Sequence, residues 1–352
     1  MSGYASQKHQ ELVSTFRLGA SRSPDRLRNT LSAAVIGQSA AIDATVRALT
    51  ISAAGLSDPH RPIASLLMVG PTGVGKTELA RQLAAEVRGD RDNLCRIDMN
   101  ALAQEHYSAS LSGAPPGYSG SREAYTLFQR ERIEGNLSVP GIVLFDEIEK
   151  AHVTVLRSLL QILDTGILRL AGGGAEISFR NCIVLMTSNL GSREVSTSFR
   201  NRIRRAAVPF GSSRTARVLD RYDRATVETA VRRFFDPELY NRFDEVITFD
   251  PLDHDTSRQV VDLELVRLAD RLRAAEVTWQ YSDDVAHLLL RRGFDPVYGA
   301  RNLKRVIRTD LESVVAEQIV RHRHADVPLH LGSSVESGEI VTAVADGPGQ
   351  AT

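Results

Sequence analysis

Two cysteines, one tryptophan and no long apolar run are the scarcities of this 352-residue chain, and each excludes something. Cys95 and Cys182 both fall inside apolar, strand-like stretches. That placement suits buried thiols in a reducing compartment, not a disulfide or a metal pair. The nine histidines show no metal-ligand spacing with the cysteines. No segment approaches the roughly 20 apolar residues of a membrane span, and the opening MSGYASQKHQELVSTFRLG lacks the apolar core of a secretory signal. Charge of one sign is missing as well: 43 basic residues balance 43 acidic ones, so no global field points to a nucleic acid or an anionic membrane. The expectation is a cytoplasmic protein with no membrane partner, long enough for a sizeable core and two domains.

What the chain does have is an apolar strand, Ser65 to Val69, running straight into GPTGVGKT at residues 70–77. Gly70, Gly75, Lys76 and Thr77 meet the phosphate-loop template, and ELARQLAAEV follows with Leu79, Ala80, Leu83, Ala84 and Val87 on one helical stripe. Glycines let successive N–H groups and the helix start face phosphates; Lys76 adds a point charge, and the Thr77 hydroxyl suits a Mg²⁺ ion. Pro71, Thr72, Gly73, Val74, Gly75, Lys76, Thr77 and Glu78 are therefore the candidate nucleotide-binding residues. A chance glycine-rich turn would lack the strand before and the helix after.

A second apolar run, Gly141 to Phe145, ends in Asp146-Glu147. Paired with the loop, Asp146 suits the shell of Mg²⁺, and Glu147 suits polarising the water that attacks the γ-phosphate. A third run, Cys182 to Met186, ends in Thr187-Ser188-Asn189, where an amide can hold the same water. Strands alternating with helices imply an α/β fold, a parallel sheet covered by helices on both faces with ligands at the strands' C-terminal ends.

The organisation reads as a flexible leader at 1–30, a large ATPase domain at 31–249, a small and mainly helical lid domain at 250–345, and a tail at 346–352. The turn cluster Asp250-Pro251-Leu252-Asp253 marks the change, and the last stretch from Val327 can add a strand pair. Residues 193–233 carry eleven arginines against four acids, a pattern that is most often a solvated face.

An ordered series of runs carries a resemblance across residues 35 to about 305. It comprises Val35-Ile36-Gly37-Gln38, GPTGVGKTELA, RIDMN, GAPPGYSG, LFDEIEKAH, FRN, MTSNLGS, PELYNRFDE and GFDPVYGARNLKR. In these runs the chain resembles the second ATPase module of the ClpB and ClpC unfoldases, AAA+ P-loop proteins. The resemblance implies ATP and Mg²⁺ as cofactors, with Val35 and Ile36 beside the adenine. It implies Asn189 as sensor one, Arg242 as a finger reaching the γ-phosphate of a neighbouring subunit, and Arg301 as sensor two. A finger acting in trans implies a homo-hexamer. Tyr118, in Gly117-Tyr118-Ser119-Gly120, takes the place of the pore aromatic that grips extended polypeptide.

The function so implied is an ATP-dependent unfoldase or disaggregase threading unfolded or aggregated clients through a central pore, with an adaptor at the N-terminal leader. Ser119 for valine, Ser110 for arginine and Asn302 for proline depart from the family pattern. Val208-Pro209-Phe210 stands where protease-coupled relatives carry an aliphatic-Gly-Phe docking tripeptide; proline fixes φ and removes an N–H, which argues against protease docking. The alternatives are an AAA+ ATPase acting on a nucleic-acid complex and the unfoldase partner of a ClpP-like protease.

Overall fold

Apolar runs too short to be helices set the centre of the fold. In the computed structural model, which describes residues 23–103, 127–136, 138–169, 176–192, 225–295, 299–322 and 329–345, every residue of β1 (Ala64–Val69), β3 (Gly141–Asp146) and β6 (Cys182–Ser188) is buried. β2 (Cys95–Asp98) alternates buried and exposed positions, the pattern of an edge strand. The sheet order is β2-β3-β6-β1-β7, with β7 at Glu245–Thr248, and all its pairings are parallel. Register aligns the C-terminal ends: Asp98 lies opposite Asp146, and Val69 opposite Ser188.

One face of this sheet packs Leu67, Val69, Val143, Phe145, Val184 and Met186 against the helix Val153–Thr165 and the helical residues 225–234. The helices Ser39–Ala53 and Lys76–Arg88 contact strands of the same sheet through stripes such as Ile42, Leu49, Leu79 and Leu83. Burying each leucine is worth about 1.5–3 kcal/mol, so a mis-registered helix would forfeit several such terms. Ile167–Arg169 (β4) and Glu176–Ser178 (β5) pair antiparallel as the hairpin read from sequence.

The leader ends earlier than residue 30. Pro24–Ala34 is a helix whose Ser23 Oγ accepts the Arg26 N–H at 3.2 Å, with Pro24 in its first turn and Leu27 and Leu31 buried. A serine cap followed by proline and aspartate is a helix start, which corrects the expectation of a flexible leader through residue 30.

Internal contacts divide the chain into two units, Met1–Gly70 with Gly75–Asp250, and Pro71–Val74 with Pro251–Thr352. The second unit carries the helices His254–Ala274, Asp283–Gly293 and Gly299–Val306; the last continues through a wider turn at Ile307–Glu312 into Ser313–His322. It is less purely helical than the sequence suggests. β8 (Val277–Tyr281) joins the expected pair β9 (Leu329–Glu336) and β10 (Glu339–Val344) in a three-stranded sheet. The lone tryptophan, Trp279, is buried there and donates its indole N–H to Ser333 Oγ at 2.9 Å.

Candidate nucleotide site

β1 ends at Val69, and the next residue explains why it is glycine. Gly70 has φ 155, and a Cβ there would stand 2.6 Å from the Phe249 carbonyl oxygen. Gly75 opens the following helix with φ 112 and supplies no side-chain cap, the arrangement in which a helix start can face an anion. Lys76 is buried, and its Nζ donates to the Gly70 carbonyl at 2.5 Å and to Asn189 Oδ1 at 3.0 Å. The ammonium thus spans from the phosphate loop to the end of β6. Val35 is buried with Cγ1 3.1 Å from a Cβ built on Gly75, and Ile36 is half-buried beside it in sequence. Gln38, in the same run, holds both backbone polar groups of Asp250: its Nε2 donates to the carbonyl at 2.9 Å, and its Oε1 accepts the N–H at 3.0 Å.

The two acids at the end of β3 are held differently. Asp146 is buried; its Oδ2 accepts from Arg96 Nη2 at 2.6 Å and Nε at 3.1 Å, and its Oδ1 accepts the Thr187 hydroxyl. Glu147 has φ 58 and ψ 54, left-handed backbone that costs a non-glycine residue about 1–2 kcal/mol. Its N–H donates to Thr187 Oγ1 at 3.0 Å, and Asn100 Nδ2 donates to its Oε2 at 3.0 Å. That conformation turns the Glu147 side chain away from the strand direction toward the end of β2. Glu149 Oε1 accepts the Asn189 N–H at 3.1 Å. Lys76, Asp146, Glu147 and Asn189 therefore converge at the C-terminal ends of β1, β3 and β6. Thr77 sits in the first turn of the loop's helix, and the Glu78 carboxylate is taken by Arg91 at 3.0 Å and Gln82 at 3.1 Å.

The loop glycines, the helix start without a side-chain cap, the buried cation and the adjacent carboxylates fit a nucleoside triphosphate. Thr77 and Asp146 are the residues that would hold its Mg²⁺.

Arg242 is not among this group. Its carbonyl accepts from Ser65 Oγ at 3.0 Å, near the start of β1, and five residues at about 3.3 Å each put that turn roughly 16 Å from Gly70. Its Nη2 pairs with Asp164 Oδ1 at 2.9 Å, while its Nε is buried without a hydrogen-bond partner. Arg301 is exposed on the helix Gly299–Val306 of the second unit. Within that unit the Ala300 N–H donates to the Gly73 carbonyl at 2.9 Å, and Asn302 Nδ2 donates to the Gly293 carbonyl at 3.0 Å, a bond that proline at 302 would not make. Tyr118, Ser110, Ser119 and Val208-Pro209-Phe210 lie outside the described residues, as does most of the arginine-rich stretch.

Residues 61–246 match the family model described as an AAA domain (Cdc48 subfamily), and residues 252–328 match the C-terminal, D2-small domain of ClpB protein. The chain belongs to the Clp family of AAA+ ATPases. It is 52% identical over 295 residues to an ATP-dependent protease ATP-binding subunit-like protein of Rhodococcus erythropolis, covering 84% of this chain and 83% of that protein. It is 41% identical over 301 residues to the mitochondrial chaperone ClpB4 of Arabidopsis thaliana, covering 85% of this chain but 30% of that protein. A chain from a closed-state cryo-EM reconstruction of Hsp104 with ATPγS and FITC-casein superposes with a TM-score of 0.74 at 28% identity, covering 97% of this chain and 55% of that chain. This Clp-family chain spans about a third of the ClpB relative it matches. As a family member it binds nucleotide and is an ATPase. Among the described residues no helix is long and apolar enough to cross a membrane.

The sequence reading missed Arg96, Asn100 and Thr187 as members of the site. Each lay inside a motif run, RIDMN or MTSNLGS, but only strand register brings them to the acids of β3.

Proposed function

We propose that this chain works as an ATP-driven protein unfoldase, assembling into a homo-hexameric ring that threads unfolded or aggregated polypeptide. The observation that carries the reading is the separation of Arg242 from its own phosphate loop along β1, in a chain whose relatives include ClpB4 and Hsp104. With its backbone turn roughly 16 Å from Gly70 and its guanidinium paired with Asp164, Arg242 is poorly placed for the γ-phosphate of its own subunit, whereas it can serve the next subunit in a ring. In this reading Lys76 and the loop N–H groups bind the phosphates of ATP, and Thr77 and Asp146 hold Mg²⁺, which supplies charge neutralisation at the phosphate oxygens. Glu147 orients the water, Asn189 and Arg301 report the γ-phosphate, and Val35 and Ile36 flank the base. Tyr118 grips the client. The protein works in the cytoplasm, and its N-terminal stretch takes an adaptor.

The name of the Rhodococcus relative favours one second reading, service to a ClpP-like protease. The proline of Val208-Pro209-Phe210 argues against docking through that segment.

The test uses four variants with a fluorescent client captured by the Glu147→Gln ring in ATP. Lys76→Ala should lose nucleotide binding, whereas Glu147→Gln should bind ATP and not turn it over. Tyr118→Ala should keep basal phosphate release and lose unfolding, with Tyr118→Phe retaining most of it because the ring face supplies the contact. Undiminished unfolding by Tyr118→Ala would refute the threading reading.

A further inference from the structure

Arg242 is held by a neighbour that no motif singles out. Arg61, in the loop before β1, is three-quarters buried and spreads its guanidinium over three groups. Its Nε donates to the Leu163 carbonyl at 2.9 Å, its Nη2 to the Arg242 carbonyl at 2.5 Å, and its Nη1 lies 3.7 Å from Asp244 Oδ1. Leu163 immediately precedes Asp164, the carboxylate that pairs with the Arg242 side chain at 2.9 Å. Asp244 is fixed in turn, because its Oδ2 accepts both the Ser65 N–H at 2.7 Å and the Ser65 hydroxyl at 2.8 Å. One guanidinium thus ties the last turn of the helix Val153–Thr165, which carries the partner of Arg242, to the turn that carries Arg242 itself.

We propose that Arg61 is a positioning residue for Arg242, setting the backbone and the Asp164 partner from which its guanidinium reaches the neighbouring subunit's phosphate; this rests on the trans role given to Arg242 above. The geometry suits arginine alone. Three acceptors lie in three directions around one planar fork, and a lysine ammonium of the same charge cannot meet them from a single pose. Arg242 leaves its own Nε buried and unpartnered, so the Asp164 contact and the carbonyl anchor carry the orientation between them. Loss of the anchor displaces the finger without touching the phosphate loop, and a misplacement of about 1 Å far from the chemistry can cost up to about 100-fold in rate.

The experiment is subunit mixing, with phosphate release and fluorescent-nucleotide affinity read on the same samples. Arg61→Ala alone should lose about 10- to 100-fold in turnover while its nucleotide affinity stays within about twofold. Mixed with Lys76→Ala subunits it should recover activity, because its intact phosphate loop then faces an intact Arg61 and Arg242. Mixed with Arg242→Ala it should not recover, since neither partner offers a placed finger. Arg61→Lys, which keeps the charge, should show the same complementation from a milder loss, and it decides the matter if Arg61→Ala does not fold.

Failure of both Arg61 variants to recover with Lys76→Ala, in rings where Arg242→Ala does recover, would overturn the positioning role and leave the trans finger standing. If Arg242→Ala also fails to recover although mixed rings form, the trans reading falls and the role of Arg61 with it.

Discussion

Thr187→Val is the most informative single substitution, because the side chain keeps its volume and loses only a hydroxyl. Thr187 is 2% exposed, and its Oγ1 serves two neighbours at once, donating to Asp146 Oδ1 and accepting the Glu147 N–H at 3.0 Å. A hydrogen bond to a charged partner contributes about 1.5–3 kcal/mol, and a stranded buried N–H costs about 1–3 kcal/mol. The sum is about 2.5–6 kcal/mol, a large part of the roughly 5–15 kcal/mol by which domains are usually stable. The stranded N–H belongs to Glu147, whose left-handed backbone at φ 58 is held by this contact. Turnover should therefore fall further than nucleotide affinity does.

The control is Thr187→Ser, which keeps the hydroxyl and sheds one methyl for about 1 kcal/mol. Hydrophobicity alone ranks valine above serine at a buried site, so the two accounts predict opposite orders. Urea unfolding followed by far-UV circular dichroism, with unchanged slope between variants, measures the difference. The reasoning is refuted if Thr187→Val unfolds within about 0.5 kcal/mol of Thr187→Ser or above it, since surface-like substitutions stay within that range.

Two further outcomes test the fold. Leu31→Ala should destabilise the protein by about 2–5 kcal/mol and Ser23→Ala by about 1 kcal/mol; neutral values in urea unfolding would mean that the helix Pro24–Ala34 is not docked. Burial pushes the Cys95 thiol up and the Cys182 thiol well up, so a thiol reagent at mildly alkaline pH should label neither in the native protein and both in denaturant. Rapid native labelling of either would contradict the burial of β2 and β6.

The parallel sheet was legible because three of its strands are buried on both faces and so appear as unbroken apolar runs. Its edge strand β7 was not, since Glu245-Val246-Ile247-Thr248 is short, half-buried and flanked by a charged turn. β8 escaped for a related reason. Val277 and Trp279 alternate with exposed residues over five positions, directly after a 21-residue helix whose period dominates the window. The helix Pro24–Ala34 was missed despite a proper start signal, because its arginines and its two buried leucines give only a thin apolar stripe.

The candidate site divides along a similar line. The residues proposed to meet nucleotide are spaced by the local geometry of a loop or a strand end, and GPTGVGKT, Asp146-Glu147 and Asn189 are all readable for that reason. Residues that hold those groups in place act across the sheet: Thr187 reaches Asp146 over 41 positions, Asn100 reaches Glu147 over 47, and Arg61 reaches Arg242 over 181. Nothing in a window of sequence distinguishes Arg61, beside His60 and Pro62, from an arginine solvated in a loop. Strand order supplies the distinction, because the loop before β1 and the turn before β7 become neighbours only once β7 pairs with β1. The unread strand and the unread brace are thus one omission. Without β7 beside β1, Asp244 does not meet Ser65, and the Arg242 carbonyl has no fixed place for Arg61 to hold.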